Sequence, residues 1–205
     1  MKTTIKFLVV LALALAAFSQ HTTALAGDNF KFSGRSANAF FFSTDGVCVD
    51  TFVGVFANKG KFQSPPGPGS ASTFADIFID QIDYCAGTQF TVAGGTSLDN
   101  GAFQIDRSLT TASLNATIPV FDQFGNVFDV SVDLVWEGTG DLSRGTSHSH
   151  FKSPGCVINQ RFSGSFRAAK ASGTVSIEAT NFTPNPTGDA GLSSTKSGDL
   201  FIGCN

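Results

Sequence analysis

Glutamate occurs only at Glu137 and Glu178, and the remaining acidic residues, of 16 in all, are aspartates. Lysine is scarce beyond residue 26 as well. Glu and Lys populate exposed helical faces, whereas the Asp, Gly, Ser, Thr and Asn that abound here populate turns. Their balance argues against a helix-built protein and for an all-β one. There is also one Trp, one Tyr and one Met.

Long apolar runs are missing too. The stretch from Phe7 to Phe18 is roughly 12 residues, short of the ~20 that cross a hydrocarbon core. Lys2 and Lys6 precede it and Ala24-Leu25-Ala26 follows it, the pattern of a cleaved secretory leader over residues 1–26. Residues 27–205 then form a single domain. Loss of Lys2 and Lys6 takes the 13 basic residues to 11 against 16 acidic ones, a net charge of −5. That balance disfavours nucleic acid as a partner, and nothing else in the chain reads as a helical membrane span. The expected location is secreted, extracellular, periplasmic or surface-associated.

No C-x-x-C pair and no Gly-x-Ser-x-Gly elbow occur. In an exported chain, Cys48, Cys85, Cys156 and Cys204 favour two disulfides. Three pairings are possible. Cys48–Cys85 with Cys156–Cys204 is preferred because each then closes a loop within one half of the chain.

What is present is alternation. Phe128, Val130, Val132, Leu134 and Trp136 share one face of a strand whose other face carries Asp129, Ser131, Asp133 and Glu137. Leu114, Ala116, Ile118 and Val120 repeat the pattern, and Asp122-Gln123-Phe124-Gly125-Asn126 joins the two runs as a hairpin. Further strands fall at 30–32, 47–56, 74–85, 90–92, 162–168, 175–179 and 200–202. About nine strands predict a single antiparallel β-sandwich or flattened barrel, stapled by disulfides, with phenylalanine as the main core residue and Trp136 inside. The proline-rich segment Ser64–Ser70 is expected as a long crossover loop.

Candidate chemistry is sparse. His148 and His150, the histidines left after residue 26, sit two apart, so a strand puts both imidazoles on one face. They are candidate ligands for one divalent transition metal, with Asp133, Glu137 or Asp141 nearest in sequence as a third ligand. Asp-rich loops such as Asp99-Asn100-Gly101 are candidate Ca sites. Arg144, Lys152, Arg161 and Arg167 surround the histidines and are candidate ligands for a sulfated or carboxylated glycan. Asp129, Asp133 and Glu137 stand four positions apart, roughly 13 Å, too wide for a glycosidase pair. Asn115 and Asn181 open glycosylation sequons. Trp136, Tyr84 or a loop Phe would be the stacking platform of a glycan binder.

The function expected from this inventory is a non-enzymatic extracellular binding or surface-associated module for glycan, matrix or protein. A metal-binding protein or metal-dependent enzyme centred on His148 and His150 is the first alternative. A self-assembling cell-surface structural protein is the second.

Overall fold

The computed structural model describes residues 29–64, 67–178, 180–183 and 189–202. The leader expected over 1–26, and Cys204, lie outside them. Eleven antiparallel strands account for the fold: β1 (Asn29–Thr44), β2 (Val49–Gln63), β3 (Ser70–Asp83), β4 (Thr88–Ser97), β5 (Phe103–Ile105), β6 (Thr111–Asp122), β7 (Val127–Gly138), β8 (Ser143–Ser153), β9 (Cys156–Ile177), β10 (Thr180–Phe182) and β11 (Ala190–Ile202). The all-β class is as the composition implies. The strand count differs because the run at 162–168 and the one beginning at 175 belong to one long strand, β9, while β5 and β10 are three residues long and β8 carries no apolar alternation.

The sheet closes on itself. β11, β1, β2, β3, β4, β6 and β7 pair in that order, and β9 then pairs with both β7 and β11. β9 manages this by its length. Its residues 169–177 pair with β7, and its residues 157–169 pair with β11. A ring of eight strands leaves an interior just wide enough for side chains to fill.

That dimension explains the core. Val53, Val55, Ile77, Ile79, Val92, Leu114, Ile118, Val120, Val130, Leu134 and Trp136 point inward and are buried. Of the twenty phenylalanines after residue 26, only Phe41 and Phe103 are among the buried residues. The expectation of a phenylalanine core is therefore corrected. Branched aliphatic side chains fill the narrow lumen, and most of the larger rings are displaced to the outside. The Trp136 indole is accommodated because its Nε1 donates to the Asn38 carbonyl at 2.9 Å.

Ser64–Ser70 also differs from expectation. It joins β2 to its direct antiparallel neighbour β3, so it is a hairpin connection and no crossover. At the other end of that hairpin, Cys48 and Cys85 form the expected disulfide. Cys156 is disulfide-bonded as well.

Five elements run past one end of the barrel: the first part of β1, the last part of β2, the last part of β11, the first part of β9, and β8. Here β9 exchanges β7 for β8, which pairs with it from Ser143↔Phe166 to Ser153↔Cys156. The result is a sheet extension with both faces accessible. β5 packs beneath it against β1 and β2, and Phe103 there is fully buried.

Candidate anion-binding face

Strand alternation and register decide what each face of the extension carries. The face continuous with the barrel interior presents, on β1, Asn29, Lys31, Ser33 and Arg35. The ladder puts Arg35 opposite Lys59, and Ser33 opposite both Lys61 of β2 and Lys196 of β11. Lys196 in turn faces Ser163 of β9, and Thr146 of β8 faces Ser163 from the other side. Arg161 lies opposite His148, Val157 opposite Lys152, and Ser165 opposite Arg144. Arg167 stands where the extension meets the barrel.

Nine cations therefore share one face: Lys31, Arg35, Lys59, Lys61, Arg144, Lys152, Arg161, Arg167 and Lys196. After residue 26 the chain has 11, the others being Arg107 and Lys170. No Asp or Glu occupies a position on this face of the five strands. Lys31, Lys59, Lys61, Arg144, Lys152, Arg161 and Lys196 are exposed. Arg35 is half-buried and anchored, its Nη1 donating to the Ile105 carbonyl at 3.1 Å. Arg167 is half-buried too, and its Nε is buried without a hydrogen-bond partner.

An open groove of about 440 Å³ runs along the β8–β9–β11 ladders, lined by Thr146, His148, Arg161, Ser163 and Lys196 of this face and by Ser147, Phe162 and Ser197 of the rows between them. Arg161 and Lys196 are diagonal neighbours on adjacent strands, about 7–8 Å apart at their Cα atoms. His150 is oriented by its neighbour, Nδ1 donating to Asn159 Oδ1 at 2.6 Å.

The expected ligand residues thus separate into two outcomes. Arg144, Lys152 and Arg161 share one face, spread along it rather than gathered at a point, and Lys31, Lys59, Lys61 and Lys196, which sequence reasoning passed over, lie on the same face. Their signal was parity: Lys31 with Arg35, and Lys59 with Lys61, are spaced for one strand face. Only the register of β1 on β2 and β11 shows that the faces coincide.

His148 and His150 share a face as expected, but among the described residues no third potential ligand converges with them. Asp133 and Glu137 lie on the outer face of β7, and Asp141 lies in the turn after it. Among the described residues one trio of potential ligands converges, Cys48, Asp83 and Cys85, and two of its members are the disulfide. Asp99 belongs to a turn in which its carbonyl accepts from the Ala102 amide at 3.2 Å. Tyr84 is exposed, whereas Trp136 is core and offers no platform.

The β7 carboxylates face solvent on the outer side of that strand. Across the ladders Asp133 meets Asn115 and Thr174, and Glu137 meets Thr111 and Lys170. In neither ladder does a carboxylate stand opposite them. Asn115 and Asn181 are both exposed. At the far end of the barrel, Phe90, Phe128, Ile177 and Phe182 enclose about 190 Å³, below the ~300 Å³ at which ligand pockets begin.

No family model matches this chain, and no curated protein does. A solved structure from Nitrosomonas europaea, described as a "putative AttH", aligns with 92% of this chain and 55% of its own length. Identity is 12% and the TM-score is 0.31, a likeness on which nothing further rests.

Proposed function

We propose that this chain is an extracellular, non-enzymatic binding module whose cationic sheet face takes a sulfated or carboxylated polysaccharide. The observation that carries the reading is the sorting of nine of the 11 cations after residue 26 onto one face, on which the five strands place no carboxylate, of a net-acidic protein. Scattered surface charge would not divide in that way. Planar guanidinium groups at Arg144 and Arg161 suit bidentate contact with carboxylate or sulfate, and lysines supply point charges between them.

Two features favour a polysaccharide over nucleic acid. The cationic positions are interleaved with Ser, Thr, Asn and Gly, which suit hydroxyl-rich ligands. No Phe, Tyr or Trp stands on this face, so bases would find no ring on which to stack. The Cys48–Cys85 disulfide supports an oxidising compartment such as the extracellular space or periplasm.

The test is retention of the processed protein on dextran sulfate against unmodified dextran. Binding to the sulfated polymer that weakens at least tenfold in Arg161→Ser/Lys196→Ser, and falls steeply with added salt, is the expected result. Equal retention on both polymers, or none on either, would sink the reading.

A further inference from the structure

The cations in and beside the groove are set out in a fixed order. Two cross-strand rows of the face run from β2 through β1 and β11 to β9. One row reads Lys61, Ser33, Lys196, Ser163. The other, two residues further along each strand, reads Gln63, Lys31, Gly198, Arg161. Each strand therefore supplies one cation and one uncharged residue, and the cation changes row at every strand. Lys61, Lys31, Lys196 and Arg161 form a zigzag with one charge per strand, and all four are exposed.

Sheet geometry sets the dimensions of this zigzag. Neighbouring strands lie ~4.8 Å apart, so the track advances by that distance per charge. Its two rows are two residues, roughly 6.8 Å, apart and leave a channel between them. The groove occupies this channel on β11, β9 and β8, between Lys196, Ser163 and Thr146 on one side and Gly198, Arg161 and His148 on the other. The channel is open at Gly198, where a Cβ would meet only the Phe30 carbonyl, 3.9 Å away. Arg35 stands in the next row along β1, outside the track, with its Nη1 on the Ile105 carbonyl of β5.

We infer that this track takes a single polyuronate chain lying across the strands, with one sugar residue over each strand. This ligand is a narrower form of the polysaccharide proposed above and rests on that reading. In a chain with cellulose-type linkages, successive sugars are turned by half a turn about the chain axis. Each advances the chain by close to one strand spacing. A carboxylate fixed to the ring of every sugar then points alternately to the two sides of a flat ribbon. Carboxylates on one side reach Arg161 and Lys31, and those on the other reach Lys196 and Lys61. Arg161 adds a planar fork that suits a carboxylate. Opposite each cation the uncharged residue, Ser163, Ser33, Gly198 or Gln63, leaves room for ring hydroxyls. A chain with its acid group on every second sugar would put all its charges on one side and meet two of the four cations.

Calorimetry with a hexamer of glucuronic acid joined by cellulose-type linkages tests the track. The processed, disulfide-intact parent should bind it, and Lys31→Ser and Lys61→Ser should each weaken binding at least tenfold. Lys59→Ser and Lys152→Ser remove the same charge from the same face outside the track, and should stay within about twofold of the parent. Circular dichroism confirms that all four variants remain folded. Equal losses at all four positions would overturn the track while leaving the cationic face a polyanion binder. A parent that ignores the hexamer but is retained on dextran sulfate would overturn it as well. A parent that holds neither ligand would remove the polysaccharide reading itself, and the track with it.

Discussion

Trp136 Nε1 donates a 2.9 Å hydrogen bond to the main-chain carbonyl of Asn38, tying β7 to β1 across the interior of the barrel. The two residues are 98 positions apart, and the indole is wholly buried. Removing the donor while keeping an aromatic ring leaves the Asn38 carbonyl facing an apolar group. Trp136→Phe should therefore lower stability by about 1–3 kcal/mol. Urea unfolding would show it as a lower midpoint at unchanged slope, and a midpoint equal to the parent's would disprove the tie.

Phe78 and Gly54 form a second pair with a definite consequence. A Cβ at position 54 collides with the Phe78 ring, which must lift from the sheet to admit it. Gly54→Ala should cost about 1–3 kcal/mol despite its better intrinsic strand propensity. The cost should shrink in a Phe78→Ala background, giving a coupling of roughly 1 kcal/mol in a double-mutant cycle. Additive effects would mean that the ring does not need the glycine.

The loop after β5 responds to acid through Asp106. Burial pushes its carboxyl upward, but this is outweighed by bonds from the Ser108 and Thr110 hydroxyls and the Thr110 and Thr111 amides, so it is held well below the usual carboxylate range. These bonds clamp a loop in which Leu109 is buried at a φ of 58°, in the left-handed region. A depressed folded value means that stabilisation is fully present above the unfolded value of about 3.9 and is lost as pH falls toward the folded one. Asp106→Asn should cost about 1–2 kcal/mol at neutral pH, discounted for solvent screening. The parent's thermal midpoint should then drop more steeply than the variant's below about pH 4. Parallel pH profiles would rule this role out.

Much of this architecture was legible along the chain, and its limits have physical causes. The alternation at 114–120 and 128–136 marks core-facing strands because the lumen is apolar and the outside of β6 and β7 is wet. Phe30, Phe32, Phe40 and Phe42 alternate just as well, but their apolar side is the outer one. Periodicity reports that two faces differ without saying which is inside. That the small side chains of Ala37 and Ala39 form the buried side becomes clear only once the barrel fixes how much room the lumen has. β8 was invisible as a strand because both of its faces are exposed and it repeats Ser and His. The cationic site was half legible. Arg144, Lys152 and Arg161 are near one another in sequence, whereas Lys31, Lys61 and Lys196 join them through a register that no local pattern encodes.

The spread of the cationic face makes a last prediction. Its positively charged positions are distributed over five strands, so each further segment of a polyanion engages without a second diffusional encounter. Dextran sulfate of increasing chain length should bind with rising apparent affinity until the chain spans the face, and then level off. Calorimetry across a length series measures this. Affinity independent of chain length would mean that Arg161 and Lys196 alone hold the ligand.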